Sequence, residues 1–389
     1  MKTESPGGHN RYTITGRLLV DGRLQPGALI VDGDRIAEVR TGDARGDLPP
    51  TRFAAEVVSP GLVDLQVNGG FGMEVGADAE ALRGLAARLP STGVTAFLPT
   101  VISGGAASYW AAADAWEAAR EAPGARLPGL HLEGPLLAPG RAGAHAAAPI
   151  AAADATLEGV LDDLLSAGAV RLMTLAPERP GALDRIGTLR AAGVVVSLGH
   201  SDATFEQAIA GIDAGATLAT HLFNAMSPFR HRAPGLVGAA LVQDRIAVGL
   251  IADGVHTHPG ALQLALRAKG ADSIALVTDA IAAAGMPPGR YALAGIPVIS
   301  DGDSARLADA AGTLAGSTLT MDRAVRTMVA LGGARVEEAL TMASTVPARL
   351  LGLTDAGRLL AGQRADLALW SADLSVTTTI VAGAPAFGG

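Results

Sequence analysis

Four polar residues in this sequence stand at or just beyond the ends of apolar runs. Glu133 closes GLHLE, His200 follows VVVSLG, His221 follows LAT, and Asp279 closes SIALVTD. Two neutral imidazoles and one carboxylate suit a borderline divalent metal and leave one coordination position open for water. A further carboxylate, here Asp279, can take the proton of water activated at such a site and hand it to a leaving amine. Each residue alone has an ordinary reading. A strand-end histidine is commonly a hydrogen-bonded structural group, and Asp279 can cap a helix that follows it. Their shared placement after strand-like runs is what points to hydrolysis.

Other groups fall at the same ends. Gln66 and Asn68 close the first run, and His145 lies in the loop after the third, within reach of a substrate carbonyl oxygen. An exposed histidine in an Ala-rich loop is the alternative for His145. Asn224, Arg232 and His256 add donors, and a guanidinium suits phosphate or carboxylate through paired hydrogen bonds. NGGFG at 68–72 and GTLAGS at 312–317 expose backbone N–H groups that can line a ligand. Neither has the spacing of a mononucleotide or dinucleotide loop, and alone each is an ordinary turn.

Positioning these groups requires a parallel sheet. Extended segments are predicted at Leu62–Val67, Val94–Leu98, Gly129–Glu133, Arg171–Leu175, Val194–Leu198, Leu218–His221, Ile246–Ala252 and Ser273–Thr278. Helical patterns fall between them at Asp78–Leu89, Ala106–Ala122, Asp154–Ser166, Ala182–Ala191, Thr204–Ile212 and Pro259–Lys269. Regular alternation over this length predicts a (β/α)8 TIM-like barrel, whose functional groups collect at the C-terminal ends of the strands. Between Leu218 and Ile246, HLFNAMSPFRHRAPG reads as an active-site loop with little room for a crossover helix. Beyond Asp279 come a hairpin near Tyr291–Ile299 and helices at Leu319–Leu331 and Val336–Thr345.

Both ends have a different texture. Short strands at Tyr12–Thr15, Arg17–Val20, Ala28–Val31, Arg35–Val39 and Ala54–Ser59 are separated by DG, PG and DGD turns. Ala365–Trp370 and Val376–Val381 resemble them, so the two termini are predicted to complete one small β-sandwich. The division is 1–59 and 355–389 for that domain and 60–354 for the barrel; two separate caps are the alternative.

Composition narrows the function class. The chain has 389 residues, 49% apolar and 17% charged, with a formal net charge of -8; its mean hydropathy is +0.32. That suits a well-buried α/β protein. The acidity supplies no basic surface for nucleic acid. With no cysteine, thiolate ligands and disulfides are excluded. The N-terminal MKTESPGGHNRYTITGR lacks a secretory apolar core, and apolar stretches break before bilayer length. A cytoplasmic location and no membrane association are the expectation.

The chain resembles the N-acetylglucosamine-6-phosphate deacetylase family of the amidohydrolase superfamily from about Val57 to Asp366. The likeness rests on PGLVDLQVNGG at 60–70, HLEGP at 131–135, GAH at 143–145, LGHSDAT at 198–204 and ATHLFNAM at 219–226. IADGVH at 251–256, LVTDA at 276–280, GTLAGSTLTM at 312–321 and PARLLGL at 347–353 extend it. The resemblance implies the barrel with its flanking β-sandwich, a divalent metal on Glu133, His200 and His221, and Asp279 as base and then proton donor. It places substrate at Ala144, His145, Asn224, Ala225, Arg232, His256 and the Leu314, Ala315, Gly316 segment. Gln66 and Asn68 stand where the superfamily often has a histidine pair for a second metal. They are therefore expected to face substrate, with one ion tightly held: zinc first, with Fe2+, Mn2+ or Co2+ as alternatives. A homodimer is also implied, with Arg232 reaching the sugar phosphate in the neighbouring subunit. Ala233 and Ala146 depart from the family's usual glutamate and Asn or Asp. The implied activity is deacetylation of N-acetylglucosamine 6-phosphate. The alternatives are hydrolysis of another acylamino sugar or a cyclic amide, and amino-sugar binding without catalysis.

Overall fold

The computed structural model describes residues 11–42, 47–147, 150, 155–309 and 312–388. Residues 1–10 of the N-terminal segment and Asp154, predicted to open a helix, lie outside them. An eight-stranded parallel sheet runs in chain order through Leu62–Val67, Val94–Ile102, Leu130–Glu133, Val170–Leu175, Val195–Leu198, Leu218–Ala219, Ala247–Leu250 and Ile274–Leu276. Helices cover its outside, so most of these strands are buried along their whole length and read as continuous apolar runs. The ring closes where Asp279 N–H donates to Gln66 O at 2.9 Å and Asn68 N–H to Ala280 O at 2.8 Å. This is the predicted (β/α)8 barrel.

Register puts the strand ends at one rim. Glu133 pairs with Ile102 on one side and Thr174 on the other, and Leu198 pairs with Leu175 and Ala219. The sixth strand stops two residues before its predicted end at His221. There the backbone turns into the left-handed region, with φ of 27° at His221.

Helices Ala182–Ala191 and Pro259–Lys269 have the predicted bounds, and Ala79–Arg88, Ala106–Ala119, Ala155–Ser166 and Phe205–Ala214 differ by a few residues. The interval with little room for a full crossover helix contains a short one, Gly235–Val242. Its residues from Gly235 to Leu241 are all buried. A helix apolar on every side carries no amphipathic period, so periodicity could not reveal it.

The termini do complete one unit. Strands Arg11–Val20, Arg23–Asp32, Arg35–Thr41 and Thr51–Pro60 join Leu367–Trp370, Val376–Val381 and Ala384–Phe387 in a single seven-stranded mixed sheet. The junction is Thr51–Pro60, parallel to the first strand and antiparallel to Leu367–Trp370. The sheet has its own apolar cluster, including Ile14, Leu18, Leu29, Val58, Leu367 and Ile380. The predicted hairpin after Asp279 gains a third strand: Gly289–Leu293, Ile296–Ser300 and Ala305–Leu307 pair antiparallel. Leu293 packs with Ile102, Ile281 and Ala315, so this insert covers the barrel mouth. Met321–Ala330 and Val336–Ala343 follow as predicted, with a further short helix at Thr345–Leu350. Among the described residues, no helix is long and apolar enough to cross a membrane.

Candidate active site

Glu133 ends the third barrel strand fully buried, and three imidazoles close around it. His200 Nε2 lies 3.2 Å and His221 Nε2 3.1 Å from Glu133 Oε1, and the two nitrogens are 3.1 Å apart. His145 Nε2 lies 3.4 Å from the other oxygen, Oε2. Glu133, His145 and His200 are buried and offer ligand atoms within 4.8 Å of one another, consistent with the divalent-metal site of a hydrolase.

The donor chemistry fits a cation. His200 Nδ1 is 2.7 Å from Arg141 O, and a carbonyl can only accept. Neutral His200 therefore carries its proton on Nδ1 and presents a bare lone pair at Nε2, as metal-binding histidines do. A tetrahedral ion with bonds of about 2.0–2.1 Å spaces its ligands about 3.3–3.4 Å apart. The triangle of Glu133, His200 and His221 has nearly that edge. Among the described residues, His221 Nδ1 is buried without a hydrogen-bond partner.

His145 is held the other way round. Ser103 N–H donates to its Nδ1 at 3.2 Å, and Ser103 Oγ lies 3.0 Å from the same nitrogen. With Nδ1 accepting, the proton of the neutral ring sits on Nε2, which makes this edge a donor. Burial lowers the pKa of His145, against the opposing pull of Glu133, so the ring favours its neutral form.

Asp279 stands across the closure. Asn68 Nδ2 donates to its Oδ1 at 2.7 Å. Burial first, and the charge of Glu133 next, raise its pKa from 3.8 to about 6. Burial also acts to raise Glu133, but the surrounding imidazoles outweigh it and hold that carboxyl well below its usual range. His200, His221 and Asp279 all have left-handed backbone, with φ of 49°, 27° and 51°. Non-glycine residues adopt this rarely, and strain of this kind concentrates at functional sites.

These groups line a cavity of about 310 Å³ together with Asn68, Ala144, Asn224, Ala225, His256, Leu314 and Gly316. A buried carboxylate–imidazole cluster, a separate carboxylate of raised pKa and a neutral N–H donor can together activate water against a polarised carbonyl. Residues 57–386 match the amidohydrolase family.

This chain belongs to the amidohydrolase family.

It closely resembles the N-acetylglucosamine-6-phosphate deacetylases. It is 38% identical to the one from Bacillus subtilis over 341 residues, 86% of this chain and 85% of the relative. It is 41% identical to N-acetylgalactosamine-6-phosphate deacetylase from Escherichia coli O157:H7 over 339 residues, 86% of this chain and 88% of the relative. Among solved structures it superposes with a TM-score of 0.90 on an aspartate-to-alanine mutant of N-acetyl-D-glucosamine-6-phosphate deacetylase from Mycobacterium smegmatis in complex with N-acetyl-D-glucosamine-6-phosphate. That match has 36% identity and covers 97% of this chain and 99% of the other.

The amidohydrolase does not bring every predicted residue to the cavity. Arg232 is exposed on a tight turn closed by Arg230 and Ala233, and is not part of the lining. Gln66 lies beneath, donating from Nε2 to Glu133 Oε1 at 2.9 Å, and thus braces a cluster member. Ala315 is buried in the insert's apolar cluster, between Leu314 and Gly316 of the lining.

Sequence reasoning missed three groups. Asp64 is buried below the rim and accepts Thr278 Oγ1–H at 2.6 Å. It precedes Gln66 and Asn68 by two and four residues, and one strand face presents all three, a legible signal. Asp253 contacts His256 three residues later, also a readable spacing. Ser103 gave no signal, because its contribution to His145 includes a backbone N–H.

Proposed function

We propose that this amidohydrolase hydrolyses the 2-acetamido group of N-acetylglucosamine 6-phosphate, releasing acetate and glucosamine 6-phosphate. The observation that carries the reading is the triangle of Glu133, His200 and His221 with Asp279 on the same cavity. These three residues would hold one divalent ion, zinc by donor chemistry, with Fe2+, Mn2+ or Co2+ as alternatives. When bound, the ion supplies Lewis acidity that acidifies water and polarises the amide carbonyl.

The chain's own groups do the rest. Asp279 accepts the proton of the attacking water, and Asn68 holds its carboxylate for that step. His145, a neutral Nε2–H donor, hydrogen-bonds the carbonyl oxygen as negative charge builds there. Collapse of the tetrahedral species breaks the C–N bond, and Asp279–H returns the proton to the amine. Asn68, Ala144, Asn224, Ala225, His256 and the Leu314–Gly316 segment enclose the sugar, and Gln66 supports them from below through Glu133. Arg232, remote from its own cavity, binds the phosphate of a neighbouring subunit in a homodimer. The barrel at 60–354 carries the chemistry, the 1–59 and 355–389 segments form the accessory domain, and the enzyme works in the cytoplasm.

The galactosamine epimer is the second reading, favoured by the 41% identity to the Escherichia coli O157:H7 enzyme. Acetate release by purified protein from both sugar phosphates, with and without chelator, tests both. The expected result is chelator-sensitive release with the glucosamine substrate preferred. Ligand binding without acetate release at saturating metal would overturn catalysis, and a preference for the galactosamine substrate would select the epimer.

A further inference from the structure

His256 and Asp253 form a pair that the proposed chemistry does not use. Both side chains are nearly enclosed, 5% and 3% exposed, and His256 Nδ1 lies 2.6 Å from Asp253 Oδ2. The other oxygen, Oδ1, accepts the backbone N–H groups of Val255 at 2.8 Å and His256 at 2.7 Å. Burial acts to raise the pKa of Asp253, but the His256 ring and these N–H groups outweigh it and lower it. The carboxylate is therefore ionised and accepts only, which puts a proton on His256 Nδ1. The ring lines the cavity, and Nε2 is the nitrogen left free for a ligand. His145 has the opposite arrangement, with its Nδ1 accepting from Ser103.

We infer that Asp253 is a positioning residue: it fixes the tautomer and orientation of His256 so that Nε2 meets a hydroxyl of the bound sugar as an acceptor. The cavity then carries two imidazoles held the opposite way round: His145 Nδ1 accepts from Ser103 and turns Nε2–H toward the amide carbonyl, while His256 Nδ1 donates to Asp253 and turns Nε2 toward the sugar. This rests on the reading of His256 as a substrate contact.

Asp253→Asn isolates the effect. The amide oxygen can replace Oδ1 for the two backbone N–H groups, so the loop keeps its bonds. The amide nitrogen replaces Oδ2 and donates, which forces the His256 proton onto Nε2. The same exchange at the histidine-orienting aspartate of serine proteases leaves geometry intact and removes most turnover by imposing the wrong tautomer.

The experiment is a double-mutant cycle of Asp253→Asn, His256→Gln and both together, read as kcat and KM for N-acetylglucosamine 6-phosphate in metal-loaded protein. The expected result is a loss of about tenfold or more in kcat/KM for each single variant, with the double variant no worse than His256→Gln alone. Wild-type kcat/KM in Asp253→Asn, or losses that multiply in the double variant, would overturn the inference. Wild-type behaviour of His256→Gln would instead remove the substrate-contact reading, and the inference with it. Ring 15N shifts of His256 in the wild-type enzyme give a second reading that needs no variant. A protonated Nδ1 and bare Nε2 support the assignment, and the reverse overturns it.

Discussion

Asp279 is ionised only at the expense of its surroundings. Burial and the nearby Glu133 charge raise it to about 6, while the Asn68 hydrogen bond pulls it down. As the proton acceptor it must be ionised, so turnover falls as pH drops through about 6 and levels off above. Asn68→Ala removes a donor that favours the charged form, so the acid limb of kcat against pH moves to higher pH. A limb left in place would show that the bond does not tune the base. Asp279→Asn should keep its metal, measured by elemental analysis, and lose about 10²–10⁴-fold in kcat. Near-normal turnover of the loaded variant would end the assigned role. Glu133, His200, His221 and Asp279 were all legible in the sequence because each follows an apolar run of strand length. Ser103 was not, because a backbone N–H has no residue signature.

At the scale of elements, the loop from Leu314 to Gly316 shapes the cavity by backbone approach. Gly316 has φ of +56°, and a Cβ there would meet Ile281 Cγ2 at 2.4 Å and Asp279 O at 2.9 Å. Gly316→Ala should cost about 1–3 kcal/mol from the backbone conformation alone. Because the clash falls on Asp279, KM and kcat should both worsen. Urea unfolding and steady-state kinetics check this, and a variant with wild-type midpoint and kinetics would refute the packing argument. The Gly235–Val242 helix teaches a related lesson. Its own residues are small or apolar and buried from Gly235 to Leu241, so no three-four spacing marks it, whereas the helices read from the sequence carry a polar face.

The whole molecule feels the buried carboxyls. Burial raises Asp64 from 3.8 to about 7, overriding its bonds from Thr278 and Gln66. A raised carboxyl holds its proton more tightly folded than unfolded. The stability it contributes is fully present below about pH 4 and is lost as pH rises through about 7. Asp64→Asn keeps an acceptor for the Gln66 and Thr278 N–H groups, both bonded to Oδ1 at 3.2 Å. Between about pH 5 and about pH 8, its urea midpoint should fall less than that of the wild type. Equal slopes would place the protonation elsewhere. Assembly is testable by mixing Arg232→Ala with Asp279→Asn subunits. If Arg232 completes the partner's site, each mixed dimer has one intact centre, and random exchange restores about a quarter of wild-type activity. No recovery would confine Arg232 to its own subunit.

What the sequence determined is the local part of this protein. Apolar runs set the strands, three-four spacing set the amphipathic helices, and strand-end polar residues marked one rim. Those signals lie within a few residues of each other, where side-chain period and turn chemistry act. The tertiary structure alone decided which nitrogen of each histidine meets which partner. Ser103 reaches His145 across 42 residues and Arg141 reaches His200 across 59. It also decided that Gln66 braces Glu133 and that Arg232 stands clear of its own cavity. Such contacts depend on barrel register and closure, and no local pattern encodes a proton's position across that distance.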